Sequence, residues 1–142
     1  MSIAGELARF VTGTHPTDLP PIALERARMV IASTIASAAM GLDIVSSRII
    51  RELARERGGA PEATLWFDGG AALPVADAAR VNAVMSDAAA SDDSDLRSIA
   101  HIGTIVSTVA IALAERTGAG GLDMLAAMVL GYEIAGRIDE AL

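Results

Sequence analysis

Apolar side chains recur at helical spacing along most of the chain, and the interruptions fall on glycine and proline. The first such pattern predicts a short amphipathic helix over 3–11, ended by Gly13 and a turn at Thr14-His15-Pro16. Pro16, Pro20 and Pro21 then impose an extended connection, because proline fixes φ and offers no backbone donor. Pro21 suits the first turn of a long core helix reaching Met40, with Leu24, Ala27, Val30, Ile31, Ile35 and Ala38 facing inward and Gly41 as its stop. Ser46 or Ser47 is expected to cap a third helix running to Arg57, with Ile49, Ile50 and Leu53 inside and Arg51, Glu52, Arg55, Glu56 and Arg57 in water. Gly58-Gly59 stops it.

Residues 62–67 alternate enough for a short strand, followed by a turn at Asp68-Gly69-Gly70. Helical spacing returns over 74–90, over 104–116 and over 121–142, the last segment beginning after Gly118-Ala119-Gly120. The pattern therefore predicts an all-α fold: an alanine-rich bundle of about six helices with one short strand or hairpin. In the last helix Ala127, Gly131 and Ala135 recur every four residues. Glycine in a helix interior costs about 1 kcal/mol relative to alanine, so Gly131 implies a neighbour that needs the room. Glu133 and Arg137, at i and i+4, read as a surface ion pair.

Composition agrees with helices packed through small side chains, since 52% of residues are hydrophobic but only 3% aromatic. A chain of 142 residues suffices for a single domain spanning 1–142. The net charge of −7, with no basic cluster, argues against nucleic acid, whose phosphates demand a basic surface. Zero cysteines exclude a disulfide framework or a thiolate metal site and suit a cytoplasmic protein. The longest stretches without charge, 29–42 and 98–114, fall short of the roughly 20 apolar residues of a membrane span and are diluted by Ser33, Thr34, Ser37, His101, Ser107 and Thr108. Glu6 and Arg9 interrupt the N-terminus, which lacks the order of a secretory signal.

Candidate chemistry concentrates in residues 92–104, where Asp92, Asp93, Asp95, Arg97 and His101 lie between two alanine-rich helices. In a purely structural role, Asp92 and Asp93 would end one helix and Ser98 or Thr104 would cap the next. In a functional role, His101 stands just before an apolar helix, beside free backbone N–H groups at its positive end. That field disfavours imidazolium and would keep His101 neutral, ready to move a proton near neutral pH. Asp92 or Asp93 could orient the ring or act as the second acid/base group, Arg97 could clamp a carboxylate, and Gly103 and Thr104 would line the anion-binding helix start. Metal motifs are absent: counted from Asp93 as a calcium loop, positions six and twelve are Ser98 and Thr104 rather than glycine and glutamate. The acidic string also lacks the spacing of an aspartate-rich magnesium motif, and no glycine-rich phosphate loop is present. His15, between threonine and proline, reads as an ordinary surface residue.

Several of these features occur together in one known family. The opening arm with its Pro21 helix, the alanine-rich run from Ala76 ending in Asn82, the Asp-Asp loop closing on His101 and Gly103, and Gly131-Tyr132-Glu133-Ile134-Ala135-Gly136-Arg137-Ile138 resemble the N-terminal part of the MmgE/PrpD family. That family includes 2-methylcitrate dehydratase, cis-aconitate decarboxylase and iminodisuccinate epimerase. The resemblance places its paired aspartates on Asp92 and Asp93, its threonine on Ser94 and its histidine on His101, and retains Gly103. Asp87 stands where the family carries a histidine, Ala90 where it carries an acid, and Ile102 where it carries a proline.

The resemblance implies a helical domain forming one wall of a homodimeric enzyme's active site, and proton abstraction beside a carboxylate without metal or organic cofactor. A small di- or tricarboxylate such as 2-methylcitrate would be the substrate. It also places a lid domain and further active-site groups beyond Leu142, so that a partner chain or a homo-oligomer would complete the site. Two readings follow: a dehydratase-like lyase or isomerase domain that is incomplete alone, and an inactive helical fragment or split subunit that serves association.

Overall fold

The computed structural model describes residues 2–96 and 99–141. Among them are six α-helices: α1 (Ile3–Gly13), α2 (Pro21–Gly41), α3 (Val45–Arg57), α4 (Val75–Ala88), α5 (Ile102–Thr117) and α6 (Gly121–Glu140). A 3-10 turn at Pro16–Asp18 joins α1 to α2, and β1 (Ala63–Thr64) pairs antiparallel with β2 (Ala72–Leu73) in the register Ala63 to Leu73 and Thr64 to Ala72. The fold is all-α with one small hairpin. No single helix among the described residues is long and apolar enough to cross a membrane; α2 and α3 have the combined length but meet at 94°.

α4 is the central element, packed by α2, α3, α5 and both strands. Its Ala78, Val81 and Met85 join Ala38, Ala54, Leu65, Trp66 and Leu73 in one apolar cluster. A second cluster of Ala27, Ala110, Leu125 and Met128 holds α2, α5 and α6 together. Small side chains permit close approach, most sharply at Gly41, where a Cβ would lie 1.9 Å from the Met85 carbonyl oxygen. Gly41 is therefore required by the close approach of α4, and it is not the left-handed cap expected of a helix stop, since the following Leu42 remains right-handed helical.

Three expectations about α3 and α6 are corrected. α3 begins at Val45 with Ile44 at its cap position, and Ser47 is fully buried rather than capping. Its inner face is Ser47, Ile50, Arg51 and Ala54, while Ile49 and Leu53 are exposed. The reason is Asp68, in the hairpin turn: it accepts Arg51 Nη2 at 2.8 Å and also binds Arg55, drawing the charged side of α3 onto the hairpin. Burial raises the Asp68 carboxyl, but the hydrogen bonds and charges of Arg55 and Arg51 outweigh it and hold the pKa below its ordinary value. In α6 the expected small-residue stripe is incomplete, because Ala127 is exposed; Gly131 does admit a neighbour, Val106, whose Cγ1 would lie 2.8 Å from an added Cβ. Ile35, expected in the core, is partly exposed on α2.

Glycine terminates α3 and α5 as the pattern predicts: Gly58 has φ 63° and Gly118 lies in the left-handed region. The Glu133–Arg137 pair forms on the surface of α6, with Arg137 Nε 2.6 Å from Glu133 Oε1. His15 is exposed, as expected of a surface residue.

Candidate acid/base site

The buried hydroxyls of Ser37, Ser86 and Thr104 line a polar seam leading to the acidic loop. Ser37 Oγ donates to the Ser86 carbonyl at 2.7 Å, and the Ser86 and Thr104 hydroxyls are 3.0 Å apart. Thr104 Oγ1 donates to Asp92 Oδ2 at 2.5 Å. Since that bond uses the Thr104 proton, Ser86 donates to Thr104, and the seam runs Ser86 to Thr104 to Asp92. The Asp92 side chain is fully withdrawn from solvent.

His101 occupies the cap position of α5, and its Nδ1 lies 3.0 Å from the same Asp92 oxygen and 3.8 Å from Asp87 Oδ1. The ring is partly open to solvent, with 43% of the side chain exposed. A donor bond from Nδ1–H to Asp92 leaves Nε2 as the nitrogen able to meet a substrate. The hydrogen bond and charge of Asp92, reinforced by the charges of Asp87 and Asp93, raise the His101 pKa above 6.5 despite some desolvation. The direction is opposite to the one expected from the helix end alone, because a carboxylate in direct contact favours the imidazolium.

Asp93 meets that helix end instead. Its Oδ2 accepts the Gly103 N–H at 3.2 Å and the Tyr132 phenol at 2.8 Å, so one carboxylate joins α5 to α6. The cap of α5 thus comes from ten residues upstream, and the paired aspartates do not end the preceding helix, because α4 stops at Ala88. Gly103 is needed for this contact: a Cβ there would lie 2.1 Å from Asp93 Oδ1 and 2.5 Å from Val30 Cγ1. The Oδ1 atoms of Asp92 and Asp93 are both buried without a hydrogen-bond partner among the described residues.

The fold therefore brings Asp92, Asp93, His101, Gly103 and Thr104 together, with the Gly103 N–H and the Thr104 hydroxyl engaged by the two aspartates. Ser94 is exposed and stands outside these contacts, and Arg97 lies outside the described residues. Asp95 is buried where the loop turns back on itself, with its N–H bonded to the Ala100 carbonyl at 2.9 Å. Tyr132, Asp87 and Ser86 were not singled out as site residues by the sequence. Signals were present for two of them: Tyr132, the chain's single tyrosine, lies in the Gly131 to Ile138 motif, and Asp87 stands where the family carries a histidine.

A groove of about 340 Å³ between α2 and α6 is lined by Arg26, Val30, Met128 and Tyr132, among others, but by neither His101 nor Asp92. It touches the acid/base residues only through Tyr132. The cluster offers one imidazole proton carrier, a buried carboxylate that holds it and a second carboxylate locked between two helices. The family model described as MmgE/PrpD N-terminal domain matches residues 5–142. No curated protein matches the chain.

Proposed function

The chain belongs to the MmgE/PrpD family, as its N-terminal domain, and on that premise we propose that it supplies the acid/base wall of a lyase or isomerase site. The substrate class is a small di- or tricarboxylate, and the step is proton transfer at the carbon beside a carboxylate, as in dehydration of 2-methylcitrate or a related epimerisation or decarboxylation. The observation that carries this reading is the 3.0 Å contact between His101 Nδ1 and Asp92, a carboxylate itself held by Thr104. Such a pair fixes the ring and leaves Nε2 to donate a proton below the raised pKa and to accept one above it.

The neighbours of His101 are Asp87, Asp92 and Asp93, and the chain contains no lysine. A polyanion would be repelled by these acids, so the reading requires cations brought to the site: Arg97 within this chain, and a partner surface completing it. Hydrogen–deuterium exchange on di- and tricarboxylates in D2O, followed by NMR with this chain alone and mixed with a chain carrying the remaining domain, tests the proposal. Exchange that disappears in a folded His101→Ala variant supports it; no exchange on any acid by the intact pair overturns it.

A second reading, association without turnover, is favoured by the exposed row Ile105, Val109 and Leu113 along α5. Under that reading Val109→Lys abolishes self-association in light scattering while His101→Ala changes nothing.

A further inference from the structure

We infer that Asp87, Asp92 and His101 form a binding site for a divalent transition-metal ion of the Zn²⁺ or Ni²⁺ type. One ligand atom from each of the three lies within 4.8 Å of the other two. From His101 Nδ1, Asp92 Oδ2 is 3.0 Å away and Asp87 Oδ1 3.8 Å. Metal–ligand bonds of about 2.0–2.2 Å set neighbouring ligand atoms about 3.0–3.5 Å apart, so two sides of the triangle are already near coordination spacing. Asp87 has the freedom to close the remainder, since 64% of its side chain is exposed.

An independent observation comes from the buried end of the cluster. The Asp92 side chain has no solvent access, yet its Oδ1 has no hydrogen-bond partner among the described residues. A buried carboxylate left half-matched is costly, and an ion bound through both Asp92 oxygens would supply what Oδ1 lacks. Thr104 already fixes the coordinating oxygen through its hydroxyl, the kind of outer support that orients metal ligands. A third carboxylate, Asp93, stands beside the triad and adds to the attraction for a cation. One imidazole with two carboxylates suits Zn²⁺, Ni²⁺ or Co²⁺, whereas Mg²⁺ and Ca²⁺ favour all-oxygen sets.

The linear spacing 87, 92 and 101 matches no metal motif, and only the turn of the loop back onto α4 brings the three together. The inference does not rest on the acid/base reading, because binding is measured with no turnover. Should both hold, an ion on Nδ1 would displace the bond to Asp92 and inhibit proton transfer there.

Isothermal titration of the chelator-treated chain with ZnCl2 tests it, alongside thermal unfolding with and without the metal. The expected result is saturable 1:1 binding with a raised Tm and no comparable effect of MgCl2. Asp87→Asn should weaken binding at least about tenfold, and His101→Ala should abolish it, with helical circular dichroism confirming that each variant is folded. If His101→Ala fails to fold, His101→Gln takes its place. His15→Ala should bind as the wild type does. Absence of 1:1 binding, binding that survives both triad substitutions, or binding lost in His15→Ala overturns the inference.

Discussion

Asn82 and Asp92 are both polar side chains withdrawn from solvent, one in the middle of α4 and the other ten residues on, and their hydrogen bonding differs. Asn82 Oδ1 accepts the Trp66 N–H and its Nδ2 donates to the Thr64 carbonyl, both at 3.0 Å. The carboxamide thereby bolts the hairpin to the central helix. Asp92 uses one oxygen for both Thr104 and His101 and leaves the other buried and unmatched. A fully matched buried group serves architecture, while a half-matched one holds interaction energy in reserve for a proton, an ion or a ligand.

The largest effect should come from breaking the architectural side. Asn82→Ala strands the Trp66 N–H and the Thr64 carbonyl and should cost about 3 kcal/mol in urea unfolding; a loss below about 0.5 kcal/mol would erase the contrast. Gly41→Ala pushes a methyl group into the Met85 carbonyl and should cost about 2 kcal/mol by the same measurement.

The site side should respond more weakly in stability and more strongly in chemistry. Tyr132→Phe removes one of two donors to Asp93 Oδ2 and should cost about 1 kcal/mol, since the Gly103 N–H remains. Asp92→Asn should change stability least, within about 0.5 kcal/mol, because it removes a buried charge together with its partner's attraction. Its signature is instead the His101 titration by NMR, which should fall from its raised position toward 6.5. The pH dependence of stability follows with a definite sign. A folded-state histidine pKa above the unfolded one contributes stability fully present below about pH 6.5 and lost as pH rises through the folded value. Asp92→Asn should flatten that slope; an unchanged slope would assign it elsewhere.

Much of the fold was legible because helix periodicity and breakers are local. Pro21, Gly58 and Gly118 mark real boundaries, and Gly131 correctly announced a close neighbour in Val106. The orientation of α3 was not legible, because the choice between burying Ile49 and burying Arg51 depends on Asp68, seventeen residues beyond Arg51 and in another element. Within the site, the sequence exposed the loop and its histidine but misjudged the field around it. The helix end near His101 could be read along the chain, whereas the contact with Asp92 and the approach of Asp87 exist only once the loop folds back. Tyr132 was visible in its motif, but its bond to Asp93 was not, since it reaches that carboxylate from 39 residues away.

Gly131 also acts as a gauge block. With no side chain to hold it off, Val106 seats directly against α6 and sets the gap between the two helices. Tyr132 follows on α6, and its phenol meets at Asp93 an amide that belongs to α5. The carboxylate is thus a rivet whose grip depends on that gap, and a methyl group at position 131 would be felt first as slack at Asp93. Substitutions deep between α5 and α6 should accordingly register as changes in the acid loop before they register as unfolding.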